Sequence, residues 1–500
     1  FNLFGQLLEG KLPKNKAYFD PMGREDLFPL PDRDVVYEKY PQLADSPIKS
    51  MFASVGCPFH CSYCYAPSFN KMHGGFKFIT SEVDRLIAEA HDIQRRWPLQ
   101  MVYFQDDIFG FEYKEWLPEF TRRWKQEVGE PAHIQLRTEL LEGDAGKRRL
   151  DLFQEAGVTG VTLAIESGNP FLRTRVLMRH MPHELIVESC EKIIARGMTL
   201  RTEQILAVPF SSTETDLSTL KLNNEIGPDM AWPSTLSPYL GTSMGTIAKS
   251  LGFYAGNNDD LSDTFFQRSV LRHVAGGTRD IERIVEGLKV HPKAPPEVQP
   301  LQNTWAVENG TDSAQLTYQK VVREKVDGKK FEIVKVGEPR EVGTIEYLSE
   351  KENSDYCDSV VRLQELFIPL AKMPDAVVLA KRLLAVPKND WNWKRIGQET
   401  TAHLRTRVPG AELERRLHAL AHEMHLQSPS DLPEVVVQNP HYFPYFPAGG
   451  ALAQKVVETG FPVSTDSTPS ALGEVATITR RHEFGHGLYK VEKGPEPIAK

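Results

Sequence analysis

The chain has 500 residues, 40% hydrophobic and 25% charged, a length that at ~100–200 residues per domain predicts two to four domains around sizeable cores. Lys+Arg 59 against Asp+Glu 67 leaves a net charge of −8, which excludes a protein held on nucleic acid by general electrostatics, since that needs a basic face. No apolar run approaches the ~18–20 residues that span a bilayer, because Leu366 to Pro387 is broken by Lys372, Pro374, Asp375, Lys381 and Arg382, and no basic-plus-apolar leader opens the chain. The expectation is a soluble, cytoplasmic protein with neither a transmembrane segment nor a nucleic-acid partner. Residues 1–49 carry Pro13, Pro21, Pro29, Pro31, Pro41 and Pro47 among charged residues with little periodicity, and read as an extended linker or wrapping arm. Residue 1 is Phe, not Met, and the opening reads like the middle of a protein, so an upstream segment is expected to have been removed.

From residue 50 to 245, short apolar runs alternate with amphipathic segments. The runs are Ser50–Gly56, Met101–Asp107, His133–Glu139, Gly160–Glu166, Arg201–Val208 and Met230–Ser237. Between them lie helix-like stretches: Ser81–Trp97, Lys114–Val128, Gly146–Ala156, Pro182–Arg196 and Thr213–Glu225. Ser81, with Asp84 three residues on, suits a helix N-cap, and Gly157 and Gly197 stand where C-caps belong. Strand–helix alternation with near-continuous apolar strands predicts a parallel sheet covered by helices, and both a doubly wound sheet and a partial barrel fit the periodicity. In either one chemistry gathers at the C-terminal ends of the strands. Polar residues do gather there: Cys57 after the first run, Asp106 and Asp107 after the second, Arg137 and Glu139 in the third, Glu166 and Ser167 after the fourth, Glu203 in the fifth.

Residues 246–289 read as a helical connection, with Leu261–Lys289 as its helix. Residues 290–350 read as a small β insertion, on the alternation of Leu316 to Val322 and Phe331 to Val336. Residues 351–500 read as a helical and then mixed extension. No internal repeat is visible beyond the βα alternation.

Cysteine usage is more specific. Only Cys57, Cys61, Cys64, Cys190 and Cys357 occur, too few for a disulfide framework, yet three fall within eight residues. Cys57-Pro-Phe-His-Cys61-Ser-Tyr-Cys64 is a CxxxCxxC spacing in a loop after a strand, where a short turning loop wraps its thiolates around one centre. Three thiolates reach three corners of a cubane cluster and leave one iron open to a small molecule, where four would close the site. The alternatives are a zinc site that recruits His60, which adjoins Cys61 and can hardly turn to the same ion, and three unrelated buried cysteines.

This segment resembles the radical S-adenosylmethionine (SAM) superfamily, and the resemblance covers about residues 50–245. It implies a partial (β/α)6 TIM-like barrel, an α/β fold, with a 4Fe-4S cluster held by Cys57, Cys61 and Cys64 in the loop after the first strand. It further implies SAM chelated to the open iron, reductive cleavage to a 5′-deoxyadenosyl radical, hydrogen abstraction from an organic substrate, and an electron donor such as flavodoxin or ferredoxin. Tyr63 matches the family's position near the adenine. Phe104-Gln-Asp106-Asp107-Ile-Phe109, Ile165-Glu166-Ser167-Gly168-Asn169, Ser237-Pro-Tyr-Leu-Gly241-Thr242 and Phe28-Pro-Leu-Pro31-Asp32-Arg33 resemble motifs of the cobalamin-associated subgroup, as does the helical stretch Asn353–Pro387. By that resemblance Glu166 and Ser167 hold the ribose or methionine end of SAM. Arg137 pairs with its carboxylate, Asp106 and Asp107 lie near its amino group, Glu203 joins the cofactor site, and cobalamin-dependent C-methylation is the expected reaction. A structural ion pair or cap at the barrel mouth is the plainer alternative for these charged residues.

There are departures. Gln105-Asp106-Asp107 stands where the family has Gly-Gly-Glu, and Ala207 where the subgroup often has Gly. About 50 residues before the barrel cannot build a cobalamin domain, so either that domain was cut away, the favoured expectation, or the enzyme works without cobalamin, by radical cyclisation, rearrangement or oxidation. A competing motif, His482-Glu-Phe-Gly-His486, matches the HExxH of zinc hydrolases, but its flanks alternate like strands and Gly485 and Gly487 suit a turn. His418, His422 and His425 read as a solvated helical face, Cys190 as core, Cys357 as core or a group near substrate, and His441–Phe446 as a plug of the barrel's open end.

Overall fold

Runs that are apolar at almost every position belong between two layers of helices, and the strands of this protein follow that rule: Met101–Phe104 is buried throughout. The computed structural model describes residues 30–275 apart from 73, 76, 77, 113 and 263. It also describes strands 303–309, 313–326, 330–336 and 340–347, residues 348–387 apart from 372–375, and the backbone of strands 476–484 and 488–493. In place of an extended arm, residues 30–49 begin with two short helices, α1 (Asp34–Tyr37) and α2 (Pro41–Asp45). Pro41 opens α2, where its missing N–H has no helical partner to lose. Arg33 fastens this entry, donating to Ser50 O at 2.7 Å and Glu89 Oε1 at 2.8 Å.

There follow β1 (Ile48–Met51), β2 (Ser54–Val55), α3 (Ala66–Met72), β3 (Ile79–Thr80), α4 (Val83–Arg96), β4 (Met101–Phe104), α5 (Trp116–Arg123) and β5 (Ala132–Leu136). Then come α6 (Gly143–Ala156), β6 (Val158–Glu166), α7 (His183–Ile194), β7 (Thr199–Leu206), α8 (Thr213–Ile226), β8 (Met230–Thr235) and α9 (Ser243–Ser250). Strands β1, β4, β5, β6, β7 and β8 form one six-stranded sheet in that order, a parallel half-barrel. Of the two architectures the periodicity permits, the chain adopts the partial barrel. The first apolar run is split, however. Only Ile48–Met51 pairs with β4, while Ser54–Val55 turns away to pair antiparallel with β3. The Asp106 carboxylate causes this by accepting the Ala53 N–H at 3.1 Å and the Ser54 hydroxyl at 2.6 Å. The N-cap position of α4 falls on Glu82, one residue after Ser81. The Ser81 N–H donates to Ala53 O at 2.8 Å.

The chain divides into two compact units. The first comprises Phe1–His60, Cys64–Leu136 and Arg148–Val158. Helix α4 buries Val83, Leu86, Ile87, Ala90 and Ile93 at the spacing of one helical face. An aromatic core surrounds Phe120, whose ring lies 5.0 Å from Trp116, 5.2 Å from Trp124, 5.3 Å from Phe109 and 5.8 Å from Phe104.

The second unit comprises Cys61–Tyr63, Arg137–Lys147 and Thr159–Lys500. Its described elements add β9 (Val274–Ala275), β10 (Asn303–Asn309), β11 (Ser313–Val326), β12 (Lys330–Val336), β13 (Arg340–Tyr347), α10 (Glu350–Ala371), α11 (Ala376–Leu384), β14 (Ala476–Phe484) and β15 (Leu488–Lys493). Strands β10, β11, β13 and β9 run in that order, with β12 on β11. A core of Leu206, Leu220, Trp232, Leu363, Phe367 and Leu379 joins β7, β8 and α8 to α10 and α11. The helix expected over Leu261–Lys289 is not formed in its described part. There the backbone bonds outward instead of along itself: Phe265 O accepts Thr235 N–H at 2.7 Å and the Gln364 amide at 3.0 Å, and Arg272 N–H donates to Phe253 O at 2.8 Å. Residues 276–289, His418, His422, His425 and His441–Phe446 lie outside the described residues. His482 and Glu483 lie on β14, paired with β15, so they do not have the helical spacing a zinc hydrolase uses; His486 is outside the described residues. Cys190 is fully buried in α7, and Cys357 is buried in α10. Among the described residues no helix is long and apolar enough to cross a membrane.

A buried polar group links α8 to α10. The Tyr356 hydroxyl donates to Asp216 at 2.7 Å and meets Ser211 Oγ at 2.6 Å, and the His273 ring stands edge-on to Tyr356 at 4.6 Å. Burial pushes the Asp216 carboxyl up to about 7 and His273 down to about 3.

Two tests follow from this packing. Phe120→Ala should cost about 3–5 kcal/mol of stability, seen as a lower urea midpoint. Asp216 in the unfolded chain ionises near about 4. Between there and its folded value the folded protein holds a proton the unfolded chain lacks, so its contribution is full at low pH and is lost as pH rises through the folded pKa. Asp216→Asn keeps an acceptor for Tyr356 and removes the titration, and His273 contributes equally to both proteins. The variant should therefore gain stability relative to wild type between about pH 4 and about pH 7, read from paired urea midpoints.

Candidate active site

The cysteine loop begins directly after β2. In the first unit Cys57 is buried and Cys64 half-buried. Asn70 of α3 donates to Cys57 O at 2.9 Å, and the Ala66 N–H, in the first turn of α3, points at Cys64 Sγ at 3.4 Å. An N–H at a helix start favours the thiolate form of a cysteine. Asp106 is enclosed and is spent on Ala53 and Ser54; burial pushes it up to about 7. Asp107 accepts the Gly56 N–H at 3.1 Å and the Tyr65 hydroxyl at 2.9 Å. Both carboxylates thus shape the backbone that leads into the cysteines.

In the second unit Ser62 is clamped by three bonds. Its N–H donates to Leu177 O at 3.1 Å, its hydroxyl to Val176 O at 2.6 Å, and its carbonyl accepts Met244 N–H at 2.7 Å. Beside it Cys61 is buried, and Arg137 Nη1 lies 3.1 Å from Cys61 Sγ. The remaining face of that guanidinium holds Glu139, with Nε 3.2 Å from Oε2 and Nη2 on Oε1. Burial works against ionisation of Glu139, but the Arg137 fork overcomes it and holds the carboxyl below the ordinary range.

Glu166 ends β6 with φ of +63°, after a register shift against β7 between Ala164 and Glu166. A side chain held in the left-handed region costs roughly 1–2 kcal/mol. Glu166 receives the Tyr63 hydroxyl and an ion pair from Arg179 Nη1 at 3.3 Å. Arg179 also donates to Ala164 O at 2.6 Å and to the Tyr63 hydroxyl at 3.3 Å, and stands 3.9 Å from Cys61 Sγ. Burial pushes both the Glu166 carboxyl and the Tyr63 phenol upward, with the Arg179 charge opposing it at each. Ser167 is buried in the turn that follows: its Oγ accepts the Asn169 N–H at 3.2 Å, and its carbonyl accepts Arg173 Nη1 at 2.6 Å. Glu203 of β7 is partly exposed and pairs with Arg201 at 2.8 Å. Ala207, just after β7, has φ of +53°, which explains why glycine suits that position.

Tyr63, Arg137, Glu166 and Cys61 are therefore joined through Arg179 and Glu139, whereas Asp106 and Asp107 serve the first unit's loop. Arg179 and Ser62 are absent from the sequence-based candidates. The one hint of Arg179 is a basic residue enclosed in the apolar turn Val176-Leu-Met-Arg179-His-Met181. Gly168 is required sterically, because a Cβ there would lie 2.1 Å from Ser218 O. Gly168→Ala should displace the turn bearing Glu166 and Ser167 and lower stability by ~3 kcal/mol, the upper end of an overpacking penalty, measured by urea unfolding.

The family model described as the Radical SAM superfamily matches residues 51–221. No curated protein matches the chain. Among solved structures, the radical SAM methyltransferase TsrM from Kitasatospora setae, bound to tryptophan substrate and a SAM analogue, is 18% identical, with 43% of this chain and 41% of that one covered and a TM-score of 0.36. The cobalamin-dependent SAM radical enzyme OxsB, with aqua-cobalamin and SAM bound, is 12% identical over 92% of this chain and 60% of that one, TM-score 0.43. Coproporphyrinogen III oxidase (HemN) from Escherichia coli, a radical SAM enzyme, is 10% identical over 73% and 85%, TM-score 0.32. This chain thus spans about two fifths of TsrM and three fifths of OxsB. At such distances nothing about this chain's activity follows from these structures. The domain match takes in all three clustered cysteines together with Tyr63, Arg137, Glu166 and Arg179, and residues 51–221 of this chain are a radical SAM superfamily domain.

Proposed function

We propose that this chain is a radical SAM enzyme, with Cys57, Cys61 and Cys64 as the ligands of a 4Fe-4S cluster. The observation that carries the reading is the CxxxCxxC spacing inside the matched domain. Among the described residues no three Cys, His, Asp or Glu side chains form a ready metal cage. The donor chemistry nonetheless fits: thiolates are the ligands iron–sulfur clusters take, and N–H donors already face Cys61 and Cys64. Held by Cys57, Cys61 and Cys64, such a cluster would supply the one-electron reducing chemistry that SAM cleavage requires.

The protein's own groups have the complementary tasks of binding and orientation. Arg137, whose fork holds Glu139, is assigned to pair with the carboxylate of SAM in exchange for that partner, and Arg179 adds positive charge beside it. Glu166 and Ser167 hold its ribose or methionine end, Tyr63 lies by the adenine, and Glu203 lines the same cofactor site. Asp106 and Asp107 keep the loop in shape. Arg137, Glu166, Ser167 and Arg179 are all buried, which limits the access of water to these groups. The overall reaction we assign is cobalamin-dependent methyl transfer to carbon of an organic substrate, supported by the motifs at 104–109, 165–169 and 237–242, with electrons from a flavodoxin- or ferredoxin-type donor.

The test is anaerobic reconstitution of the full chain with iron and sulfide, then dithionite, SAM and hydroxocobalamin, with products read by mass spectrometry. The expected result is 5′-deoxyadenosine that disappears in Cys57→Ala, accompanied by S-adenosylhomocysteine. 5′-Deoxyadenosine alone would replace methylation with a cobalamin-independent radical reaction. Neither product, from protein that carries a reduced cluster and binds SAM, would overturn the radical SAM assignment.

A further inference from the structure

Arg137 divides its donors between two partners. Nε and Nη2 engage the Glu139 carboxylate, and that fork leaves Nη1 directed at Cys61 Sγ, 3.1 Å away. Both Arg137 and Cys61 are only 5% exposed, so solvent competes little for this bond. The donors of Arg179 are directed mainly to Ala164 O, Tyr63 and Glu166, and it reaches Cys61 Sγ only at 3.9 Å. Because the Arg137–Glu139 pair has no net charge, the sulfur receives a directed N–H rather than a loose cation.

We propose that Arg137 is a positioning residue that sets the reduction potential of the centre held by Cys61, through its hydrogen bond to Cys61 Sγ. The inference rests on the assignment of Cys57, Cys61 and Cys64 as cluster ligands. Reduction adds negative charge that is shared with the ligand sulfurs, and an N–H donor on a sulfur stabilises the more negative state. Without the donor, reduction becomes less favourable. A role confined to the carboxylate of SAM would leave the SAM-free potential unchanged.

The experiment is an EPR-monitored redox titration of the reconstituted full chain without SAM, with iron content measured on each protein. The double variant Arg137→Met with Glu139→Gln removes the donor and its counter-charge together, and Glu139→Gln alone keeps the donor. The double variant should show a one-electron reduction equilibrium about tenfold less favourable, a fall of about 59 mV, while Glu139→Gln alone does not fall. An unchanged midpoint in a fully loaded double variant overturns the proposal. So does a double variant that takes up no cluster while wild type does, since Arg137 would then be holding the loop rather than tuning the centre. Wild-type protein that assembles no cluster defeats the cluster assignment itself, a result separate from either of these.

Discussion

Arg179 is the residue on which the second unit's site depends. Glu166 sits in a backbone conformation that L side chains avoid, with its carboxylate out of water, and neither condition is self-supporting. One guanidinium answers both, pairing with Glu166 and gripping the carbonyl of Ala164 two residues upstream, on the near side of the register shift. Tyr63 joins the same pair, so the cysteine loop and the end of β6 share one electrostatic anchor. Loss of Arg179 would leave a buried carboxylate beside a strained turn, a far greater penalty than the net worth of the ion pair.

Carboxylates elsewhere perform a related task. Asp106 and Asp107 stand just after β4 and accept N–H or hydroxyl groups from Ala53, Ser54, Gly56 and Tyr65 around the cysteine loop, and Asp216 of α8 accepts Tyr356 of α10. Asp106 and Asp107 fix this chain without a repeating backbone ladder, which suits a segment that must turn out of a sheet and stop at a defined place. Asp106 shows the consequence for the fold: by taking Ala53 and Ser54 it ends β1 early and sends β2 toward β3.

The sheet was legible in the sequence because parallel strands buried on both faces leave apolar runs, and the cysteine loop stood out because three of its thiols fall within eight residues. Gly157 and Gly197 take positive φ as their places after helices suggest. What was not legible depends on distance along the chain. The bond that splits the first run reaches from Asp106 to Ser54, and the outward bonding of residues around Phe265 depends on Thr235 and Gln364. Local propensity contains neither. Arg179 belongs to the same class, an arginine in a turn whose meaning comes only from partners at Tyr63, Ala164 and Glu166.

The clamp on Ser62 bears on how metal and folding are coupled. Zinc-finger-like centres spend their binding energy on ordering a loop, so that apo protein is unfolded at the site. Here the middle of the cysteine loop is fastened by three bonds that involve no thiol, to Val176, Leu177 and Met244. The ordering entropy of that segment is offset by contacts within the protein alone. Under the proposed cluster assignment, chelation would then strip the centre without releasing this segment, and reassembly would be a ligation reaction on a standing scaffold rather than a refolding event.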